Sequence, residues 1–166
     1  MTLHFGDGTS QTTAGVTSGG KVLSKPVLGA LTTTISSNGS SNWTDLAGMS
    51  VTVSPNSSSS RFLVSVRITI CGDNDNNHTA TGRLRILRGG TKIDDGVDSN
   101  WFLSRHMIYR VGYSVFTVLD HPNTTSSTTY KAQRYQPGQD GSRDLMWGYS
   151  SLPNNGGELW VTEYEN

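Results

Sequence analysis

The chain has 166 residues, 33% of them hydrophobic and 16% charged, and its thirteen Lys and Arg balance thirteen Asp and Glu to a formal net charge of zero. That length fits one domain with one core. The charge balance excludes a nucleic-acid-binding face built on clustered bases, and no apolar run is long enough to cross a bilayer as a helix. Disorder is excluded too: Trp, Tyr and Phe punctuate the apolar stretches, while Ser, Thr, Asn and Gly supply the chemistry of short strands and tight turns.

Residues 1–20, MTLHFGDGTSQTTAGVTSGG, hold little apolar mass beyond Leu3, Phe5 and Val16, and then break into the linker chemistry of Ser-Gly-Gly. Such a segment is expected to attach to something rather than to fold alone. From Lys21 onward, alternating apolar and polar residues predict strands over 21–35, 49–54, 62–71, 82–88, 101–109, 113–119, 128–135, 145–149 and 158–164, with no helical period in any window. Pro26 places the first of these at an edge or a bulge, because proline removes a ladder donor. The clusters SSNGSSN, PNSSSS, GDNDNNHTAT and PNNGG separate the strands as turns. This is the pattern of an all-β sandwich.

The clearest stretch runs from Ser114 to Gln133. Alternation puts Val115, Thr117 and Leu119 on one face and Phe116 and Val118 on the other; the strand stops at Asp120-His121-Pro122, a polar bend follows, and TTYKAQ returns as a second strand. Arg83, Arg85 and Arg88 fall at nearly alternating positions and could form a basic stripe, although a solvated or interface strand face is the expected role. Cys71 stands alone, so no intrachain disulfide forms, and a small buried thiol is expected at its strand end. No secretory signal opens the chain, so the N-x-S/T sites at Asn38, Asn42, Asn56, Asn77 and Asn123 carry no expectation of glycosylation.

Catalytic chemistry finds no constellation. His4, His78, His106 and His121 have neither a nucleophile-elbow serine nor metal-ligand spacing. Asp94, Asp95 and Asp98 sit in one loop, where carboxyl neighbours form an Asx-turn cluster more readily than a glycosidase pair. Asp73, Asp75 and Asn77 alternate as hard oxygen donors do in a calcium loop, but the glycine and the glutamate that such a loop needs are missing. The expectation is a non-enzyme that takes no cofactor and no metal.

Three segments carry a family resemblance. A strand closing in L-D-x-P, a Ser/Thr-rich bend and then T-T-Y-K-x-Q resembles the strand pairs of C1q/TNF-like jelly-roll domains found in bacteriophage virion proteins, notably at tail-fibre tips. The order G-K-V-L, W-T-D-L-A-G-M-S-V-T-V-S-P-N, the hairpin and a terminal E-L-W-V-T-E-Y is similar to the same heads over residues 21–166. The segment L-H-F-G-D-G-T-S-Q-T-T-A resembles a short element of tail-fibre and other virion proteins; it follows Met1 directly, so a small attached tip is expected rather than a long shaft.

The resemblance implies a jelly-roll β-sandwich preceded by a short extended N-terminal segment, assembled as a homotrimer in a virion. Its partners would be other virion proteins through Leu3, Phe5, Asp7 and Gln11, and a host surface glycan or protein at the distal end, with no nucleic acid and no membrane insertion. Trp101, Phe102, Tyr109, Tyr113, Trp147, Tyr149 and Trp160 exceed what one sheet face hides, which suits a trimer interface. Strand parity puts the loops near Asn38 to Asn42, Asp73 to Thr79, Arg110 to Gly112 and Pro153 to Gly156 at the end away from the termini. Asp73, Asp75, Asn76, His78, Asn154 and Asn155 are the receptor-binding candidates among them. The alternatives are a capsid decoration or head-fibre protein that stabilises the shell and, less favoured, a small polysaccharide hydrolase.

Overall fold

A computed structural model describes residues 3–4, 10–11, 22, 25–33, 35, 40–72, 79–93, 101–105, 111–136, 145–148, 151 and 153–164. In chain order the strands are β1 (Leu3–His4), β2 (Ser10–Gln11), β3 (Val27–Ala30), β4 (Ser40–Val53), β5 (Arg61–Gly72), β6 (Thr79–Arg88), β7 (Thr91–Lys92), β8 (Trp101–Arg105), β9 (Val111–Asp120), β10 (Thr128–Gln136), β11 (Leu145–Trp147) and β12 (Gly157–Tyr164). A 3-10 turn, Pro153–Gly156, leads into β12. Among the described residues no helix is long and apolar enough to cross a membrane.

Two antiparallel sheets face each other. One has the order β3–β12–β5–β9, and β11 continues the β12 position beside the C-terminal end of β5. The other has the order β4–β10–β6–β8, with β7 beside the far end of β6. Apart from the short strands, the first strand of the sandwich pairs with the last and the second with the last but one. Both sheets arise from that one wrapped hairpin, which is the path of a jelly roll.

Period-two alternation builds the core. Phe62, Val64, Val66, Ile68 and Ile70 of β5 face Leu84 and Ile86 of β6 and Tyr130 and Ala132 of β10, with Leu159 and Val161 of β12 and Met49 and Val51 of β4 closing the cluster. Full burial of a side chain of this kind stabilises by about 1.5–3 kcal/mol. Phe62 and Tyr130 meet across the sheets at 5.8 Å between ring centroids. Towards the other end the interior turns polar: Gln136 is fully buried and accepts a 3.3 Å hydrogen bond from Nε1 of the equally buried Trp147. Arg134, buried beside them, has its pKa lowered by that burial.

Several expected strands change length. Within the strand expected over 21–35 the described residues show β3, with isolated bridges at Val22 to Tyr164 and at Ile35 to Trp147; Pro26 lies just before β3, which among the described residues is an edge strand pairing with β12 alone. The strand expected over 49–54 instead begins at Ser40, so Ser40, Ser41 and Asn42 belong to β4 and not to a distal turn. Their propensity favours a turn, but pairing to β10 decides otherwise. β4 keeps that pairing through a bulge between Asp45 and Ser50, where Gly48 has φ +84 and the Ala47 carbonyl accepts from the Thr32 N–H at 3.0 Å. A side chain at Gly48 would meet the Ala30 carbonyl. In the N-terminal segment Leu3 pairs with Gln11 and His4 with Ser10, an extended antiparallel pair.

Register fixes the two ends of the sandwich. Tyr164 pairs with Arg61 and Phe62 with Asp120 at one end, while Gly72 pairs with Leu145, Cys71 with Val111 and Ile68 with Gly157 at the other. The turn Pro153–Gly156 therefore enters β12 at the end away from Tyr164.

Candidate functional site

The residues singled out in the sequence fall into separate places. Asp73, Asp75, Asn76 and His78, and likewise Phe5, Asp7, Asn77, Asp94, Asp95, Asp98, Tyr109 and Tyr149, lie outside the described residues. Leu3 and Gln11 are directly opposite each other on β1 and β2. Cys71 belongs to β5, His4 to β1, and Trp101 and Phe102 to β8, with their side chains outside the description. His106 is also outside it, and His121 is exposed in the bend after β9. Among the described residues there is no group of three or more His, Cys, Asp or Glu placed to hold a metal ion.

Asn154 and Asn155 are described, and both take part in the turn before β12. Each adopts a left-handed backbone, φ 55 and φ 49, which asparagine tolerates better than other side chains with a Cβ. Asn155 Nδ2 donates to the Leu31 carbonyl at 3.0 Å, and Asn154 Nδ2 donates to Glu158 Oε1 at 2.6 Å. The second bond joins the distal turn to the outer face of the β3–β12–β5–β9 sheet, because Glu158 also pairs with Arg67 at 2.7 Å.

That outer face exposes apolar side chains at its two edges, with the polar Ser65, Arg67 and Glu158 between them. Tyr113, Val115 and Leu119 of β9 are 59%, 66% and 59% exposed, and Leu28 of β3 is 48% exposed beside its register partner Trp160. Leu63 sits opposite Leu119. Arg67, in the middle, lies 5.9 Å from the Tyr113 ring centroid and 5.5 Å from that of Trp160. The expected alternation along β9 holds: Phe116 and Val118 pack on the core, and Val115, Thr117 and Leu119 face outward. Of the aromatics expected at an interface, Trp147 is instead fully buried in the core, whereas Tyr113 and Trp160 lie on this outer face.

The opposite outer face, on β4–β10–β6, is polar and aromatic. Arg85 lies 4.2 Å above the Trp43 ring, Trp43 packs at 5.4 Å on Tyr135, and Arg83 lies 5.5 Å from the Tyr135 centroid. Arg85 Nε donates to Gln133 Oε1 at 2.7 Å; Gln133 Nε2 donates to Asp45, which also pairs with Lys131 at 2.9 Å. Hydrogen bonds from Gln133 and Lys131, with the nearby Lys131 and Arg85 charges, outweigh the opposing effect of partial burial and lower the Asp45 pKa. Among the described residues, Arg83, Arg85 and Lys131 are the cations of this patch and Asp45 is its carboxylate. The basic stripe read in sequence is corrected on one point: Arg83 and Arg85 share this face, but Arg88 turns between the sheets to Asp120 at 2.8 Å. Period-two alternation explains the change, because position 88 has the parity of the core-facing Leu84 and Ile86 and not that of Arg83 and Arg85.

Only the pairing of β4 with β10 and of β10 with β6 brings Trp43, Asp45 and Gln133 to the arginines. An aromatic and a guanidinium 42 residues apart carry no local signal of contact.

No family model matches the chain. No curated protein matches it either. Among solved structures, a chain titled "Structure of infectious bursal disease virus Gt strain" has a TM-score of 0.36 and 10% sequence identity over 86% of this chain. The match spans 37% of that chain's length, and a likeness this low leaves function to be argued from the surfaces above.

Proposed function

We propose that this protein is a bacteriophage virion structural protein, a C1q/TNF-like jelly-roll head that assembles as a homotrimer and contacts the host surface. The single observation that carries the reading is the exposed apolar row of β9, where Tyr113, Val115 and Leu119 are each more than half exposed, with Leu28 at the opposite edge of the same sheet. Isolated exposed apolar residues are ordinary, but a row of them along one edge strand marks an association surface. Closed symmetry lets three copies bury that face while leaving the distal ends together. The ordered strand motifs of residues 21–166 support the family reading, and the wrapped-hairpin path supports the fold it requires.

Light scattering on the purified chain should give three times the monomer mass, and the purified protein should compete with phage particles for adsorption to host cells. A monomeric mass across micromolar concentrations would remove the trimer, and adsorption unaffected by an excess of protein would remove the receptor role. The second reading, a capsid decoration protein held by residues 1–20, is favoured by the extended pairing of Leu3 with Gln11. It predicts that particles lacking the protein adsorb normally but lose heat resistance, and that deleting residues 1–18 abolishes incorporation.

A further inference from the structure

We infer that a carboxylate ligand seats between the two sheets against Arg134, entering beside Thr44 at the β4 edge of the sandwich. The site lies on the inner side of the β4–β10–β6–β8 sheet and does not depend on the host-surface reading above.

Arg134 is the exception among the buried charges. Among the described residues the buried charged side chains are Arg134, Glu158 and Glu163. Glu163 accepts from the Asn56 N–H at 2.7 Å and from Asn56 Nδ2 at 2.6 Å. Glu158 accepts from Asn154 and pairs with Arg67. Arg134 is only 8% exposed, yet among the described residues it has no hydrogen bond, ion pair or ring contact, and its Nε is buried without a partner. A guanidinium keeps its proton at neutral pH even where burial lowers its pKa. A buried cation left alone is among the costliest arrangements in a folded chain, and a bound anion removes that cost.

Register places the guanidinium and opens a way to it. Tyr130, Ala132, Arg134 and Gln136 share one side of β10, and the other three are core residues, so Arg134 faces the interior. Its register partners are Leu84 of β6, which is buried, and Thr44 of β4. The acceptor two positions along the same side, Gln136 Oε1, already takes the Trp147 Nε1–H at 3.3 Å. Asp45, next to Thr44, is turned to the outer side with Gln133 and Lys131, so the sheet separates its charge from the site. Among the described residues β4 is the edge strand of its sheet, and Thr44 is exposed although its position faces inward. The interior beside Arg134 is therefore reachable from solvent at that edge.

The surroundings set the charge of the ligand. One guanidinium supplies one positive charge and a planar fork that matches the two oxygens of a carboxylate. Leu84 and Ala132, both buried, make the neighbourhood apolar. A doubly charged sulfate or phosphate would bring surplus charge into that interior, which desolvation opposes, whereas a single carboxylate leaves none.

The test is equilibrium dialysis of the full chain against labelled acetate at constant sodium concentration, with chloride as the balancing anion. One acetate should bind per chain; formate should displace it and sulfate should do so poorly. Arg134→Lys, which keeps the charge without the fork, should bind about tenfold more weakly, as losing one hydrogen bond to a charged group does. Arg134→Met should not bind, and in acetate-free buffer it should melt higher than the wild type, because an apolar side chain replaces an unpaired buried cation. Acetate should raise the melting temperature of the wild type and of Lys25→Gln, an exposed charge loss, but not that of Arg134→Met. Competition of galacturonate and of N-acetylaspartate amide against labelled acetate separates the two sources of such a group, and the tighter competitor assigns the site to an acidic sugar or to a protein side chain. Absence of acetate binding to the wild type would overturn the inference, and that measurement needs no variant to fold. Equal binding by Arg134→Met, a lower melting temperature for it in acetate-free buffer, or displacement by sulfate as strong as by formate would overturn it too.

Discussion

Asp120, the last residue of β9, accepts hydrogen bonds from Arg88 of the opposite sheet at 2.8 and 3.0 Å, and this ion pair fastens the two sheets at the end nearest Tyr164. The phenol of Tyr130 donates to the same carboxylate at 2.7 Å. The Asp120 side chain is 9% exposed, so the pair is shielded from water on one side and open at Arg88 on the other. Asp120→Ala should lower stability by about 2–3 kcal/mol, since it strands a cation and a buried hydroxyl together. At about 2–4 °C per kcal/mol for a chain of this size, calorimetry resolves the loss easily. A change under 2 °C would show that water replaces the carboxylate without cost.

Alkaline pH should act through Tyr130. Burial, then the hydrogen bond and charge of Asp120, push its pKa well above the ordinary tyrosine value. A pKa raised on folding contributes stability that is complete below the unfolded value, about 10, and is lost as pH climbs from there. Urea midpoints of the wild type should therefore fall above pH 10, and Tyr130→Phe should show a shallower fall with a lower midpoint at neutral pH. Parallel pH curves for the two proteins would contradict the assignment.

Gly48 and Gly89 both have positive φ but should respond differently. Alanine at Gly48 would put its Cβ 2.1 Å from the Ala30 carbonyl oxygen, on top of the left-handed strain, and should cost about 2 kcal/mol or more. Gly89, with φ +56, has nothing within 4 Å of an added Cβ, so Gly89→Asn should cost less than about 1 kcal/mol. Thermal unfolding of the two variants decides the ranking.

The assembly face can be broken without touching the core. Val115→Asp with Leu119→Asp alters two outward positions of an edge strand, each worth within about 0.5 kcal/mol to the monomer fold. The double variant should remain folded by circular dichroism and sediment as a monomer. An unchanged trimer mass would move the interface elsewhere.

By itself the sequence determined which stretches are strands and which side of each is apolar. From β5, β9, β10 and β12 the alternation alone separates Phe62, Val64, Phe116 and Leu159 from Arg67, Val115 and Trp160, because a strand's side-chain period is two whatever it pairs with. The asparagines at 154 and 155 were legible as a turn, though not their bonds to Glu158 and Leu31. Tertiary structure alone decided where β4 begins, why Gly48 cannot carry a side chain, and that Arg88, on the core side by parity, meets Asp120 of the other sheet. It also decided that Trp43, Gln133 and Arg85 form one surface. Each depends on which strands become neighbours, and in a jelly roll those neighbours come from opposite ends of the chain, so pairing energy, not local propensity, chooses them.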